Sequence, residues 1–365
     1  MEEKALKVLQ ILEENGYAAY VVGGYVRNKL LGLKSNDVDI CTSATPKEVK
    51  EIFKSSSSDN YGSVTITYKN ISFDITTFRR DIKYVNNRIP IELKYIKDIK
   101  KDLLRRDFTI NTLCMNSKGE ILDKLEIMKD LEDKIIKTVG NPKYRLKEDS
   151  LRILRAVRFS SILDFNIDDN TKYYMKKYGN LLKKLSFNRK KEELDKIFSC
   201  VNNKKGIDLL LELGLDKPLQ LDKLNKINPC HDLVGIWTQL EVDDIYPFTK
   251  NEKAQMKSIR LLLDKDIKDK YNIYKYGLYT STVAYQIKNE SVSELNKIYK
   301  ELKIQNEKDI NIKPTEIIEL LNIEPNDSIK KILTDIEKKI IFNELENDNS
   351  IIKEYIIKQY KNINK

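Results

Sequence analysis

The chain has 365 residues and a formal net charge of +10, and the whole excess lies in residues 1–200, which hold 39 basic and 29 acidic side chains. No apolar run approaches the ~18–20 residues of a membrane span, no secretory signal pattern is visible, and the single histidine excludes metal centres built on several histidines. The four cysteines form no CxxC pair, which favours free thiols in a reducing cytoplasm over a disulfide or a zinc site.

The chain up to Gly140 alternates between helix and strand signals and predicts a mixed α and β domain. Leucines at helical spacing over 6–12 predict a first helix, which Gly16 ends. The pattern then predicts, in order, a strand over 18–22, a helix over 25–31 and a strand over 37–42. Gly23 and Gly24 form the turn that leaves the first of these strands.

The next elements have clear cap and turn signals. Thr45-Pro46-Lys47-Glu48 has the residues of a capping box with Pro at the first helical position, so a helix is predicted through Phe53. Residues 61–68 and 71–78 alternate in polarity on either side of Lys69-Asn70, which suggests a β-hairpin.

The character of the sequence changes after Gly140-Asn141-Pro142. Strand signals disappear, and helical periodicity continues to the C-terminus with interruptions at asparagines and prolines. Residues 141–200 also carry 15 basic against 8 acidic side chains, which indicates a polyanionic partner. We therefore expect an α+β head followed by an all-helical remainder.

A pair of carboxylates and a pair of glycines form the first candidate site. Asp37 and Asp39 are at i and i+2 of a predicted strand, so they would lie on one face, where Mg²⁺ is the cation that suits them. Gly23 and Gly24 would let backbone N–H groups approach a phosphate at the start of a helix. An isolated DxD pair is more often a solvated strand edge, but Gly-Gly-x-Val-Arg thirteen residues upstream favours a nucleotide site.

A second charged group consists of Arg105, Arg106 and Asp107. Two guanidiniums can bind triphosphate oxygens while the carboxylate accepts from a ribose hydroxyl. A surface ion-pair cluster is the structural alternative. Asp74, on the second predicted hairpin strand, is either a third acid near the metal or, as we favour, a charge paired across strands.

The third group is Glu148, Asp149 and Arg152. Asp149 and Arg152 are at i and i+3 of a predicted helix and would share one face, where a plain salt bridge is the alternative interpretation. A carboxylate beside a guanidinium complements an exocyclic amine next to a ring nitrogen, the edge that cytosine and adenine show. Guanine and uracil would mispair at a cost of ~1–3 kcal/mol, so the pair would act as a protein template for C and A.

In order and spacing, the segments GGYVRNKLLG…DVDICTSATP, RRDFTINTL, EDSLRILRAVRF and SFNRKKEELDKIF resemble motifs A, B, D and E of the class II tRNA nucleotidyltransferases, the bacterial CCA-adding enzymes of the DNA polymerase β nucleotidyltransferase superfamily. The motifs lie within residues 17–200. The resemblance implies an α+β fold with a mixed β-sheet in a catalytic nucleotidyltransferase head. The implied division is head 1–139, helical neck for base recognition 140–200, helical body 201–285 and helical tRNA-binding tail 286–365.

The resemblance also implies an activity, namely template-independent addition of CCA to the 3′ end of tRNA from CTP and ATP, with release of pyrophosphate. Asp37 and Asp39 would bind two Mg²⁺ ions, one at the primer's 3′-hydroxyl and one at the triphosphate. Gly23, Gly24 and Arg27 would bind the triphosphate. The expected partners are the acceptor end and helical stem of tRNA, with neither a membrane nor DNA, in the cytoplasm.

Further roles follow from the same resemblance. Arg106 and Asp107 would recognise the ribose 2′-hydroxyl, and Asp149 and Arg152 the base, with Glu148 holding Arg152. Nucleotide binding would be supported by Arg105, Asn111, Arg155 and Arg158. The segment Asp81–Lys101 resembles the family's flexible loop, which is associated with the switch from C to A addition, and includes Asp81, Tyr84, Arg88 and Pro90.

Three positions depart from the family pattern. Asn28 replaces the usual Asp after Val-Arg, which removes a charge near the expected metal site. Asp123–Ile127 lacks the glycines of the common Asp-x-Phe-Gly-Gly, so a hinge there should be stiffer. Asn188 stands where Glu is typical. None of the three touches the two expected catalytic acids, although rates and the C-to-A switch are open to change.

Other functions are compatible with the same motifs. An enzyme that adds only A, or only CC, would share them, although the loop argues against the CC-only type. Bacterial poly(A) polymerases share the core motifs as well. A non-catalytic RNA-binding protein with the same fold is the alternative from another class, and the intact Asp37 and Asp39 argue against it.

Overall fold

The computed structural model describes residues 1–35, 37–55, 57, 61–85 and 89–360, with the backbone alone for 81–85 and 89–92. The described chain divides into two compact units, residues 1–224 and 225–365. Among the described residues, no helix is both long and apolar enough to cross a membrane.

The first unit begins with the mixed α and β region that the sequence predicts. Its helices are α1 (Glu2–Glu14), α2 (Gly24–Leu30), α3 (Pro46–Phe53), α4 (Ile99–Leu103) and α5 (Met128–Glu132). Its strands are β1 (Ala19–Val22), β2 (Asp39–Thr42), β3 (Ser63–Tyr68), β4 (Ile71–Thr77), β5 (Arg79–Val85), β6 (Ile89–Tyr95), β7 (Cys114–Met115), β8 (Ile121–Leu122) and β9 (Ile135–Ile136).

Six strands of the described residues form one mixed sheet in the order β3-β4-β2-β1-β7-β8. β2 and β4 run parallel, and the other neighbours are antiparallel. The register places Asp39, the first residue of β2, between Val22 at the end of β1 and Asp74 in β4. The sheet therefore brings the two candidate acids Asp39 and Asp74 side by side.

Apolar packing fixes this sheet and the turn that follows β1. α1 contacts β1 and β2 and buries Ala5, Val8, Leu9 and Leu12, which repeat at helical spacing. A second cluster packs around Val22, with Cys41, Phe78, Leu103 and Cys114 fully or almost fully buried. Removal of these side chains from water stabilises the strand ends that carry the candidate site.

Several predicted elements are confirmed. Thr45 and Glu48 form the predicted capping box at the start of α3. β3 and β4 pair as an antiparallel hairpin, and its turn residues Lys69 and Asn70 both have left-handed backbone conformations, with φ of 47° and 64°. α1 also ends where predicted, just before Gly16, which has a φ of 86°.

One predicted boundary is wrong. β2 begins at Asp39 rather than Asp37, because β1 ends at Val22 opposite Asp39 and the preceding residues lie beyond the end of that neighbour. The described residues of the segment 81–101, which resembles the family's flexible loop, include the paired strands β5 and β6 and the helix α4, and its flexibility stays a prediction. Arg88 lies outside the described residues.

The rest of the first unit is built from helices, in agreement with the predicted α+β head and helical remainder. The helices are α6 (Pro142–Glu148), α7 (Leu151–Leu163), α8 (Asp169–Tyr178), α9 (Phe187–Phe198), α10 (Asn203–Glu212) and α11 (Asp216–Leu219). The expectation of no strand after Gly140 is wrong in one place, because β10 (Asn166–Ile167) pairs in parallel with β9.

The second unit is helical wherever it has regular structure in the described residues. Its helices are α12 (Leu233–Leu240), α13 (Lys250–Leu263), α14 (Lys270–Ile287), α15 (Val292–Glu301), α16 (Pro314–Leu321), α17 (Asp327–Ile341) and α18 (Asn349–Tyr360). They enclose an isoleucine-rich core that also buries Tyr274 and Tyr285. The predicted division into 1–139, 140–200, 201–285 and 286–365 is finer than the two compact units and stays a prediction.

Candidate active site

Three carboxylates, here called the acidic group, lie near one another where β1 ends. Asp39 lies in register with Asp74 on the neighbouring strand, and Asp37 comes just before β2. Asp39 is exposed as a residue, but desolvation by the surrounding protein atoms raises the pKa of its carboxyl, and the charges of Asp37 and Asp74 raise it further against the opposing charge of Arg106. Asp74 Oδ1 accepts from Oγ1 of its cross-strand partner Thr65 at 2.6 Å, as the cross-strand interpretation expects, and the charge of Asp74 also acts on Asp39.

The backbone conformation requires glycine at position 23, beside this group. Its φ of 85° and ψ of −137° are available to glycine and costly for other residues. A Cβ at this position would lie 3.6 Å from Oδ2 of Asp39 and 4.0 Å from Nη1 of Arg106. The turn from β1 into α2 thus runs directly past the acidic group.

The donor set fits hard divalent cations. Mg²⁺ in nucleotide enzymes is usually held by one or two carboxylates together with substrate phosphates and waters. Within the ranges that the structure describes, no group of three or more His, Cys, Asp or Glu side chains is placed to hold a metal ion by itself. The negative charges of Asp37 and Asp74 raise the pKa of Asp39, and a bound cation would relieve the repulsion between these carboxylates.

Arg27 of α2 is buried, and amides rather than a carboxylate accept its hydrogen bonds. Its Nη1 donates to Asn111 Oδ1 at 2.6 Å, and its Nε and Nη2 donate to Asn28 Oδ1 at 3.0 and 2.7 Å. Burial lowers the pKa of Arg27 to about 10, against the charge of Asp107 and with added repulsion from Arg158 and Arg155. Asn28, noted above as a departure, therefore orients Arg27 without neutralising it.

Three guanidiniums surround one aromatic ring in this region. Arg27, Arg155 and Arg158 lie 5.1, 5.4 and 4.5 Å from the ring centroid of Phe159. Such cation–π contacts stabilise positive charge that is removed from water. Arg158 also forms an ion pair with Glu193 of α9 at 3.3 Å. Glu193 lies within the motif SFNRKKEELDKIF, but the sequence alone does not single it out.

Asp107 links this arginine cluster to Asn111. Its Oδ2 accepts from Arg155 Nε at 2.8 Å, and its Oδ1 accepts from the backbone N–H of Phe108 at 2.8 Å and from Asn111 Nδ2 at 3.1 Å. Burial opposes the charged form, but Arg155 and these hydrogen bonds hold the pKa of Asp107 well below its usual range. The group is thus a fixed anion that can accept a hydrogen bond at neutral pH.

Asp102 organises the Arg105-Arg106 pair and was missed by sequence reasoning. Its side chain is fully buried, with Oδ1 accepting from Arg105 Nε at 2.8 Å and Oδ2 from Arg106 Nη2 at 3.1 Å. Its Oδ1 also accepts the backbone N–H of Arg79 at 3.1 Å. Burial raises the pKa of Asp102, but the two guanidiniums outweigh it and lower the pKa overall. The sequence signal for this role is the position of Asp102, three residues before Arg105 and four residues before Arg106.

The third predicted group is assembled differently from the prediction. Asp149 has extended backbone angles between α6 and α7, so the argument that it shares a helical face with Arg152 is wrong. The reason is that α6 ends at Glu148 and the Asp149 carboxylate accepts the N–H of Leu151 at 3.0 Å, as in a helix start. The two residues are nevertheless adjacent, since Arg152 N–H donates to the Asp149 carbonyl at 3.2 Å.

The Arg152 guanidinium is held against the Arg105-Arg106 segment. It donates to the carbonyls of Arg145 at 3.0 Å and Arg105 at 3.2 Å, and its Nη1 lies 3.5 Å from Glu148 Oε2. Arg145, which sequence reasoning did not place in the site, also pairs with Glu148 and donates to the carbonyls of Arg105 and Arg106. Residues from α6, α7 and the Arg105–Asp107 segment are thereby joined.

The predicted site residues therefore fall into one connected region, apart from the loop. It contains the acidic group, Gly23 and Gly24 and the arginines described above, with Asp107, Asn111, Glu148 and Asp149. Of the loop residues, Asp81 and Tyr84 lie in β5, where their backbone partners in β6 are Leu93 and Pro90.

Three known families match separate parts of the chain. Residues 19–137 match the family described as "Poly A polymerase head domain". Residues 164–223 match "Probable RNA and SrmB- binding site of polymerase A", and residues 247–356 match "tRNA nucleotidyltransferase domain 2 putative".

Similar proteins extend over almost the whole chain. A CCA-adding enzyme of Ligilactobacillus salivarius is 34% identical, with 96% of this chain and 95% of that protein covered. A CCA-adding enzyme of Lactococcus lactis is 32% identical with the same coverage. The crystal structure of the Bacillus stearothermophilus CCA-adding enzyme in complex with CTP superposes with a TM-score of 0.86 at 25% identity and covers 98% of this chain and 96% of that one.

Proposed function

The chain belongs to the CCA-adding enzymes, a family of nucleotidyltransferases, and on this premise we propose that it adds C, C and A to the 3′ end of tRNA from CTP and ATP without a nucleic-acid template. The observation that carries the proposal is the acidic group of Asp37, Asp39 and Asp74 beside Gly23 and Arg106. Carboxylates next to a phosphate-accessible turn are what transfer of a nucleotidyl group requires.

Asp37 and Asp39 would hold two Mg²⁺ ions. Bound there, the metal supplies activation of the primer's 3′-hydroxyl and neutralisation of charge on the triphosphate and the leaving pyrophosphate. Gly23, Gly24 and Arg27 would bind the triphosphate. Arg27 suits this role because its guanidinium is oriented by Asn28 and Asn111 and has no carboxylate among the contacts described above, so an anion gains most there.

Arg106 and Asp107 would select ribonucleotides. Arg106 is held near Gly23 by Asp102, and Asp107 is a fixed anion held by Arg155 and Asn111. A preorganised donor and acceptor recognise a 2′-hydroxyl because the deoxy analogue cannot form the hydrogen bonds that these fixed groups offer. The geometry supports this role through rigidity.

Asp149 and Arg152 would read the base. Arg152 is anchored by two backbone carbonyls and by Glu148, and Asp149 is anchored by the N–H of Leu151. Anchored groups discriminate better than mobile ones because they cannot rearrange to accept the donor and acceptor pattern of guanine or uracil. Each mispaired contact costs about 1–3 kcal/mol, or about 10- to 100-fold in selection.

The acceptor end of tRNA would lie against residues 141–200, where the basic excess is concentrated. The match of residues 164–223 to a probable RNA-binding region supports this placement. The four cysteines of the chain are free, which is consistent with action in the reducing cytoplasm.

A second candidate function is addition of A alone, as in a poly(A) polymerase or an A-adding enzyme of the same family. The observation in its favour is that residues 19–137 match a head domain named for poly(A) polymerase. A protein that only binds RNA is disfavoured, because the acidic group is intact and binding has no use for it.

The test uses labelled tRNA that ends before CCA, with Mg²⁺ and one nucleotide at a time. CTP alone should extend it by two residues, ATP alone by none, and ATP should add one residue to tRNA that already ends in CC. A long A tail would favour the poly(A) polymerase activity. A lack of any extension would contradict an enzymatic function.

A further inference from the structure

Basic residues are concentrated on two helices of the first unit, α6 and α8. Residues 170–191, which include most of α8, contain seven lysines and one arginine and no acidic residue. α6 adds Lys143, Arg145 and Lys147 against a single acid, Glu148. Positive charge that so few carboxylates balance attracts a polyanion.

The two helices pack against each other and join aromatic and basic side chains into one surface. Tyr144 of α6 is 59% exposed, and Tyr173 of α8 is 57% exposed. Lys147 Nζ of α6 lies 4.9 Å from the ring centroid of Tyr178 in α8, so this contact connects the two helices. We call the following residues the lysine–tyrosine surface: Lys143, Tyr144, Lys147, Tyr173, Lys177 and Tyr178.

Each of the two exposed rings has a lysine ammonium over it. Lys143 Nζ lies 5.7 Å from the ring centroid of Tyr144, and Lys177 Nζ lies 5.5 Å from that of Tyr173. In the part of the chain that the structure describes, neither Lys143 nor Lys177 forms an ion pair with a carboxylate. Both ammonium groups are therefore available to a phosphate.

The rings on α8 support one another. Tyr173 meets Tyr174 edge-on with centroids 5.0 Å apart, and Tyr174 stacks on Tyr178 with centroids 5.7 Å apart. A ring that its neighbours hold in place loses little rotamer freedom when a base stacks on it. Stacked bases with lysines near the backbone phosphates are typical of single-strand binding, since only unpaired bases can leave their stack to contact a ring.

The lysine–tyrosine surface is distinct from the nucleotide site on the same helix. Lys143 and Lys147 are one turn apart on α6, whereas Arg145 lies half a turn away from Lys143 and donates to the carbonyl of Arg106 at 2.7 Å. A strand on this surface would thus bind outside the site of the incoming nucleotide. The match of residues 164–223 to a probable RNA-binding region includes α8 but not α6.

We propose that the lysine–tyrosine surface binds an unpaired segment of RNA, with bases stacked on Tyr144 and Tyr173 and phosphates paired with Lys143 and Lys177. The inference rests on the proposed function for the identity of the polyanion, and it adds a binding surface outside the nucleotide site. RNA fits better than an acidic protein, because exposed rings beside ammonium groups match the alternation of base and phosphate along a strand.

The test measures, by fluorescence anisotropy, binding of a labelled RNA of about 12 unpaired nucleotides and of a fully paired RNA duplex of the same length. Tyr144→Ala and Tyr173→Ala should each weaken binding of the unpaired RNA by about 5- to 150-fold, the effect of one lost base stack, and should leave duplex binding unchanged. Lys143→Gln and Lys177→Gln should each lower the slope of log affinity against log salt concentration by about 0.7, the effect of one lost phosphate contact.

Two kinds of control separate stacking from a general loss of structure. Tyr144→Phe and Tyr173→Phe keep the ring and should retain the wild-type affinity for unpaired RNA. Tyr68→Ala is the matched control, because Lys69 Nζ lies 5.7 Å from the ring centroid of Tyr68, but this pair belongs to the hairpin of β3 and β4. Its affinity for unpaired RNA should equal that of the wild type. Circular dichroism checks that each variant is folded.

Three results decide the matter. Unpaired RNA that binds Tyr144→Ala and Tyr173→Ala as tightly as the wild type would overturn the inference. Binding that depends on the lysines alone would overturn it as well, because an acidic protein would then serve as well as RNA. A wild-type protein that shows the tyrosine-dependent binding but extends no tRNA would support the inference and overturn the proposed function instead.

Discussion

Replacement of Asp102 by Asn removes the negative charge of one buried side chain and leaves its volume almost unchanged. In the wild-type protein, the carboxylate is fully buried and accepts from Arg105, Arg106 and the N–H of Arg79. An Asn amide offers one oxygen in place of two and directs an NH₂ group at a guanidinium. At least one arginine then loses its acceptor.

The expected loss in the free energy of unfolding follows from these contacts. Breaking a buried ion pair costs about 3–5 kcal/mol, and a charge-assisted hydrogen bond contributes about 1.5–3 kcal/mol. The Arg105 and Arg106 side chains are 16% and 17% exposed, so water recovers part of the loss. We therefore expect Asp102→Asn to lower the stability by about 2–4 kcal/mol.

CTP binding should weaken as well, because Arg106 would no longer be held beside Gly23. Ordering a released arginine side chain costs about 1–2 kcal/mol, which corresponds to about tenfold in affinity. Urea unfolding followed by circular dichroism and equilibrium dialysis with CTP measure the two effects. Asp98→Asn is the matched control, since Asp98 caps the same helix from an exposed position and Asn caps equally well, so its loss should stay within about 0.5 kcal/mol. Equal stability and CTP affinity for Asp102→Asn and the wild type would refute the reasoning.

Three further predictions follow from the same contacts. The folded-state pKa of Asp39 is raised, so the charge of Asp39 destabilises the metal-free fold as pH rises through that pKa. Asp39→Asn should therefore raise Tm measured in EDTA, and it should abolish nucleotide addition. A lower Tm in EDTA would contradict the repulsion. Asp107 has a lowered folded-state pKa, so its stabilisation is complete above the unfolded pKa of ~3.9 and is lost as pH falls. Urea midpoints between pH 3 and 6 should accordingly fall more steeply for wild type than for Asp107→Asn, and parallel curves would count against it. Arg152→Ala should reduce the preference for CTP over UTP about 10- to 100-fold, measured as kcat/KM on tRNA, and full fidelity would exclude a side-chain template.

The elements that the sequence predicts well are those with local signals. The capping box of Thr45 and Glu48 and the turn at Lys69 and Asn70 depend on residues within a few positions of one another. The sequence also indicates the acids near Gly23, because a Gly-Gly pair followed by a DxD segment favours a nucleotide site. The α+β head and the helical remainder followed from periodicity.

What the sequence did not show depends on partners that are distant along the chain. Asp102 was visible as an acid near two arginines, but its burial depends on packing against the start of β5. Arg145 belongs to the site because it donates hydrogen bonds to the backbone carbonyls of Arg105 and Arg106, and no sequence pattern marks a backbone acceptor. The periodicity predicts a helical position for Asp149, because it cannot show that α6 ends at Glu148 and that a separate helix, α7, begins at Leu151.

The central claim is that the protein itself, without a nucleic-acid template, directs the order C, C, A. The most direct measurement is to incubate the full chain with Mg²⁺, all four nucleoside triphosphates and tRNA that ends before CCA, and then to sequence the 3′ ends of the products. We predict that the extended ends read CCA and extend no further. Ends with G or U, or runs of A beyond the third position, would contradict the claim.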